Sequence, residues 1–227
     1  MIAVAEHAGR GLGSESAALA TVEQIRLLVV DDHPAVRRGL RELLEDQLDF
    51  RVIATVCSAE EAMFVAEHAR VDVAVVDYQL GGRNGLWLSR KLKRLPEPPR
   101  VVIYSAYSDG LLTAAAVVAE ADGLVSKGGL GSELSDAIRS VADGRVVLPA
   151  VPWQLAEVMR RRLEEMEQAI FGMLLAAISP VEIAQTLGIS CAGLESRLWE
   201  MLRKLEAMDV EPTTPRRGGR RYVIDAR

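Results

Sequence analysis

The feature that most constrains this chain is an alternation. Short β-branched runs recur between helix-length segments: Ile25 to Val30, Val52 to Val56, Val71 to Val76, Val101 to Tyr104 and Gly123 to Val125. Four helical segments separate them, and a fifth follows at about Ser132 to Ala142. Continuous apolar runs of this length describe strands buried on both faces, the signature of a parallel sheet. Five such strands alternating with helices predict a doubly wound α/β domain, with right-handed crossovers placing helices on both faces. After Asp143-Gly144 the strand pattern stops, Pro149 and Pro152 flank a junction, and from Trp153 apolar residues recur at helical spacing. A second, small all-α domain is expected there.

The expected organisation is a mobile extension over 1–24, an α/β domain over 25–143, and a linker with connecting helix over 144–162. A helical domain over 163–210 and a basic arm over 211–227 complete it. A chain of 227 residues with 49% hydrophobic residues has enough apolar material for real cores, which excludes wholesale disorder. No run approaches the ~20 apolar residues of a membrane helix. Met1 to Thr21 lacks the apolar block of a secretory signal, so a cytoplasmic location without membrane attachment is expected. Cys57 and Cys191 lie far apart and imply neither a disulfide framework nor a zinc site; Cys57, ending a strand, is expected to be buried.

In an open parallel sheet, ligands bind beyond the carboxyl ends of the strands. Asp31 and Asp32 follow the first strand, Asp77 the third, Ser105 the fourth and Lys127 the fifth. Any one of these could be an ordinary polar strand end, and Asp32 could cap the helix that begins at Pro34. Together they predict one crevice with three carboxylates, a hydroxyl and an ammonium. Carboxylates so close repel, and a hard divalent ion with oxygen ligands, Mg²⁺ foremost, relieves them. A carboxylate beside such an ion can attack a phosphoryl group. Lys127 would neutralise charge on that group, and Ser105 could donate to one of its oxygens.

The strings LLVVDDHPAVRRGL, VAVVDYQLGGRNGL, VVIYSA and GLVSKGG carry a resemblance. Residues 25–142 resemble the flavodoxin-like receiver domain of two-component response regulators. The resemblance implies that a histidine kinase phosphorylates Asp77. It implies that Asp31, Asp32, Asp77 and the backbone carbonyl of Gln79 hold Mg²⁺. Ser105 becomes the switch hydroxyl and Lys127 the phosphate partner, while His33, near the acidic pair, is a loop residue. Two positions depart from the family. Gly81 stands where a proline is usual, and Leu124 stands where the family carries a switch aromatic.

In the helical part, Ser179-Pro180-Val181-Glu182 reads as a capping box with Pro at N1. Gly188 ends that short helix, and Ser190 caps a longer one from Cys191 to about Met208. Two helices about a tight glycine turn form a helix-turn-helix or a plain helical hairpin. Residues 163–208 are similar to the LuxR-type output domain of the NarL/FixJ group, which implies a homodimer that binds duplex DNA and regulates transcription. Ser190, Arg197, Arg203 and Lys204 are the candidate DNA contacts. Where the family presents Thr-Val-Lys and then His, this chain has Gly193, Leu194, Glu195 and Arg197, and Glu195 puts an anion on the reading surface. Trp153 and Trp199 are assigned to helix packing.

The net charge of −5 argues against a nucleic-acid binder when taken whole. Its distribution removes that objection. Residues 151–227 carry eleven basic and eleven acidic side chains, and the stretch from Pro212 has five arginines against one aspartate, net +4. The leading expectation is therefore a phosphorylated regulator, not an enzyme beyond its own phosphotransfer and dephosphorylation. The rival is a receiver-linked helical module that binds a protein instead of DNA.

Overall fold

The computed structural model describes residues 24–107 and 109–209. The expected extension over 1–24, apart from Gln24, and the basic arm over 211–227 lie outside the described residues.

Five strands form one parallel sheet: β1 (Ile25–Val30), β2 (Phe50–Val56), β3 (Val73–Asp77), β4 (Arg100–Ser105) and β5 (Gly123–Ser126), in the order β2-β1-β3-β4-β5. The β-branched runs are the cause: Leu27 to Val30 of β1 and all of β3 are buried, as strands covered on both faces require. The strand order reverses between β1 and β3, so their carboxyl ends flank the crevice where ligands bind in such sheets. Helices α1 (Pro34–Glu45), α2 (Ala59–His68), α3 (Gly85–Leu92), α4 (Gly110–Val118) and α5 (Gly131–Ala142) make the crossovers. Leu40 and Leu44 of α1 and Leu134 and Ile138 of α5 fill one side of the sheet with Leu27, Val29 and Val75. Helices α2, α3 and α4 cover the other.

Helix α4 has the sequence GLLTAAAVV, and Leu112 to Val118 are all buried. A helix that is apolar all round is covered all round. One side of α4 meets the sheet; the other meets the helical domain. Helix α6 (Trp153–Arg162) lies in the stretch expected as a linker with connecting helix; α7 (Glu165–Leu175), α8 (Pro180–Leu187) and α9 (Cys191–Asp209) follow it, and α7 and α9 both pack on α4. One apolar cluster therefore runs from the sheet through Ala115 and Val118 to Ile170, Leu198 and Leu205.

The capping box at Ser179 and Glu182 is present, Pro180 is at N1, and Gly188 closes α8 with φ 64°, a conformation that favours glycine. Ser190 caps α9, its hydroxyl accepting from the Gly193 N–H at 3.0 Å.

Three local expectations are corrected. Cys57 is exposed, because β2 is an edge strand and Cys57 lies just beyond its end, beside the Glu61 carboxylate. Trp153 is 75% exposed at the start of α6, away from any core. The N-cap of α1 is His33 and not Asp32, and it makes no side-chain cap bond.

Candidate functional site

Asp31, Asp77, Ser105 and Lys127 converge at the carboxyl edge of the sheet because each directly ends or follows a strand. A cavity of about 220 Å³ opens there, lined by His33, Val36, Asp77, Gln79, Ser105, Ala106, Tyr107 and Lys127. Asp31 and Asp77 are buried, as is Ser105. The Lys127 ammonium lies 2.7 Å from Asp31 Oδ2 and 2.9 Å from Asp77 Oδ2, bridging the two carboxylates. Backbone N–H groups hold the other oxygens: His33 donates to Asp31 Oδ1 at 2.8 Å and Gln79 to Asp77 Oδ1 at 3.3 Å. Lys127 is itself located by its own N–H, which donates to the Ser105 carbonyl at 2.7 Å.

The loop after β3 is fixed from below. The Gly85 N–H donates to the Tyr78 carbonyl at 2.8 Å, and a Cβ on Gly85 would collide with the Asp77 carbonyl. Glycine is what allows α3 to begin directly against the end of β3. Gly82 in the same loop has φ 92°.

Burial raises the Asp77 carboxyl above the usual aspartate range, against the opposing pull of Lys127. For Lys127, burial works against the charge, but Asp31 and Asp77 together outweigh it and the ammonium is held above its ordinary value. The pocket thus pairs a carboxylate of enhanced basicity with a persistent cation.

Asp31, Asp32, His33 and Asp77 each offer one ligand atom, all within 4.8 Å of one another. Asp32 Oδ1 is closed to solvent and accepts no hydrogen bond. Its one near neighbour is His33 Nδ1 at 2.6 Å, and a group of carboxylates of this kind fits a hard divalent cation.

The candidate DNA contacts are dispersed. Arg203 is exposed on α9. Lys204 turns toward α7, its ammonium 2.7 Å from Glu167 Oε1, and Arg197 lies 3.9 Å from Glu164. Ser190 spends its hydroxyl on the cap.

A second cluster went unread in the sequence. Glu195 of α9 accepts hydrogen bonds from Arg90 of α3 and, at 2.7 Å, from Arg94 Nε. Both arginines also reach Glu120 after α4, Arg90 at 2.8 Å. Arg90 is fully buried and lies 5.3 Å from the Trp199 ring, which in turn meets Trp87 at 6.4 Å. The Asn84 amide donates to Glu206 at 2.6 Å. Glu195, Trp199 and Glu206 share one face of α9, and that face is docked on α3 and α4. Burial opposes ionisation of Glu195, but Arg94 and Arg90 outweigh it and hold the carboxyl below its usual range. The one signal available was the unbroken apolar run of α4, which requires a cover on its outer side.

Residues 27–139 match the family profile of the response regulator receiver domain. The chain is similar to response regulator UvrY of Escherichia coli (strain K12), 31% identical over 200 residues, covering 83% of this chain and 92% of that protein. It is likewise similar to the DNA-binding transcriptional activator DevR/DosR of Mycobacterium tuberculosis, 31% identical over 192 residues, 80% of this chain and 88% of that one. Among solved structures, a LuxR-family two-component response regulator from Aurantimonas superposes with a TM-score of 0.53 at 30% identity, covering 62% of this chain and 99% of that one. No helix among the described residues is long and apolar enough to cross a membrane.

Proposed function

The chain belongs to the two-component response regulators that join a receiver domain to a LuxR-type output domain, and on that premise we propose that Asp77 is its phosphoacceptor and that phosphorylation governs duplex DNA binding by α9. The single observation that carries the first half is the pocket itself: a buried carboxylate at a cavity mouth, bridged by Lys127, with the Ser105 hydroxyl on the same wall.

A histidine kinase supplies the phosphoryl group. An Asp77 carboxylate oxygen attacks phosphorus, an O–P bond forms, the P–N bond to the kinase histidine breaks, and the leaving imidazole takes a proton. Asp31, Asp32 and the Gln79 carbonyl, with Asp77, are the residues that would hold Mg²⁺; when bound, it supplies positive charge against the phosphoryl oxygens. Lys127 moves from two carboxylates to a phosphoryl oxygen, and Ser105 donates its hydroxyl proton to another. This chemistry serves signalling and not substrate turnover. Acetyl phosphate with Mg²⁺ should label the protein, and Asp77→Asn should abolish labelling; persistent labelling of that variant at another residue would overturn the assignment.

The second half rests on the output domain and on the DNA-binding description of DevR/DosR. In the docked arrangement Glu195 has partners on the receiver, so an acid on the reading helix is no sign of lost DNA binding. The similarity to DevR/DosR favours the DNA reading over a protein-interaction module. Binding requires α9 to leave the receiver, and a homodimer places two such helices in successive major grooves. Ser190, Arg197, Arg203 and Lys204 are the proposed contacts, in a cytoplasmic regulator. Fluorescence anisotropy on duplex DNA should show a steep salt dependence that flattens by about one charge in Arg203→Ala. Absence of binding at low salt, with the protein phosphorylated, would favour the interaction module.

A further inference from the structure

We propose that the junction of receiver, linker and helical domain binds a small amphipathic acid, its apolar body in the cavity there and its carboxylate on Arg100. The site lies at the amino edge of the sheet, opposite the acidic pocket, and it stands whether or not α9 reads DNA.

The cavity measures about 490 Å³, within the ~300–1,000 Å³ of sites that hold small molecules. Three stretches of chain build it. The receiver contributes Val117 of α4, the linker Leu148 and Val151, and the helical domain Leu174 of α7 and Ile178 in the turn before α8. The linker is fixed along β5: the Val147 N–H donates to the Asp122 carbonyl at 2.7 Å, and the Val147 carbonyl accepts from the Leu124 N–H at 3.0 Å. Helices α4 and α7 both end on the cavity with a left-handed residue, Glu120 at φ 57° and Ala177 at φ 56°. The next N–H groups, of Ala121 and Ile178, then close back on the Ala116 and Met173 carbonyls, each at 3.0 Å. Most of the wall is therefore apolar. Water needs about two to four polar partners, so an apolar body displaces it readily. Val146 and Leu175, also on the wall, are apolar and yet 57% and 47% exposed.

The head group follows from charge. Buried Asp122 accepts from Lys93 Nζ, from Arg100 Nη1 at 2.9 Å and from the Val101 N–H at 2.7 Å. Two cations share this one carboxylate, which leaves a positive charge in excess. Glu120 does not cancel it, being paired with Arg90 and Arg94. Lys93 is turned inward and also donates to the Pro99 carbonyl at 3.1 Å. The Arg100 side chain is 44% exposed, and among the described residues only its Nη1 has a hydrogen-bond partner. Its Nε and Nη2 form the side-on fork that fits a carboxylate.

Because all three stretches supply walls, the cavity is complete only while α7 stays packed on α4. A molecule that fills it therefore favours the docked arrangement.

The full chain should be titrated by calorimetry with octanoate, octylamine and 1-octanol, which share a body and differ in head group. Octanoate should bind about tenfold or more tightly than octylamine, the worth of one charge-assisted contact. Arg100→Gln leaves Asp122 with Lys93 and the Val101 N–H; it should weaken octanoate by about tenfold and leave octanol unchanged. Ala150→Trp, at an exposed position on the wall, should weaken all three. Glu195→Ala removes a partner of Arg90 from the docked face; in that variant, carrying also Trp153→Phe, saturating octanoate should return the emission of Trp87 and Trp199 toward the blue. Equal affinities for octanoate and octylamine would overturn the head-group assignment, and octanoate binding undiminished in Ala150→Trp would overturn its place. Emission unmoved by saturating octanoate would overturn the bridging of the domains. Failure of every probe to bind would overturn the site, and a dimer lost in Val146→Ser would then give this face to a second copy of the chain.

Discussion

Asp77 and Lys127 respond to substitution with opposite signs. The buried Asp77 carboxyl has a folded-state pKa above its ordinary value, so the folded chain holds this proton at pH values where the unfolded chain has released it. The contribution to stability is therefore largest at low pH, falls as pH rises through the folded value, and is a full penalty at neutrality. Asp77→Asn removes that penalty. Thermal melts should show the variant more stable than the parent at pH 7, with the difference shrinking toward pH 4; equal or lower stability at pH 7 contradicts the sign. Lys127 is held above its ordinary pKa, so its stabilisation is complete below about pH 10.5 and is lost only as pH climbs through the folded value. Lys127→Ala leaves Asp31 and Asp77 facing each other without a cation, and it should destabilise by roughly 2–3 kcal/mol at pH 7, toward the lower end for broken buried pairs because the ammonium is partly exposed. These residues were legible because strand periodicity alone puts them at one edge. Gly85 is different. Nothing in its neighbourhood marks it, since its constraint is the carbonyl of Asp77, which only the folded loop brings near. Gly85→Ala should therefore impair both packing and phosphoacceptance, read as a lower melting temperature together with slower labelling.

At the level of elements, the contact of α9 with α3 and α4 decides what the output helix can reach. Arg90 contributes a fully buried guanidinium to it, whose Nη1 and Nη2 meet Glu195, Glu120 and the Val118 carbonyl at 3.0 Å while its Nε has no hydrogen-bond partner. Removing one partner from a buried charge costs more than the pair itself contributes. Glu195→Ala should thus weaken docking by on the order of 1–2 kcal/mol, less than full loss because Glu120 remains, and shift the docked population roughly tenfold. Trp87 and Trp199 report it directly: in a Trp153→Phe background, release of α9 exposes both indoles to water, and their emission shifts to the red. An unshifted spectrum in Glu195→Ala would show that the apolar contacts of α4 hold the helix by themselves. The sequence made Glu195 look like a defect on a DNA-reading surface, because its partner Arg90 is 105 positions away and reads as one more surface cation on α3. The apolar run of α4 was the readable half of this interface, and it says that something covers the helix without saying what. Cys57 and Trp153 mislead for a similar reason. Residue type suggests burial, but an edge strand and the first position of α6 offer nothing to bury against.

On the proposed reading, α9 has two competing partners across the whole molecule, the receiver and duplex DNA. The face bearing Glu195, Trp199 and Glu206 is docked on the receiver, and a helix lying in a major groove presents its N-terminal residues to bases. On that reading, duplex DNA binds the released form. If phosphorylation favours release, linkage makes the effect reciprocal: DNA must favour the phosphorylated receiver by the same factor by which phosphorylation favours DNA. A coupling of about 1–3 kcal/mol, the common range, corresponds to roughly 5- to 150-fold in both directions. The equilibrium form of this test replaces the phosphoryl group by beryllium fluoride, which binds the pocket without turnover. Its apparent affinity, followed through Trp87 and Trp199, should rise in the presence of a duplex selected by the protein, by the factor by which beryllium fluoride tightens that duplex. In Glu195→Ala the docked form is already depleted, so both factors should shrink together toward one. Equal affinities with and without DNA in the parent chain would mean that receiver and output domain share an interface without sharing an equilibrium, and the docking of α9 would then be a packing arrangement with no part in the response.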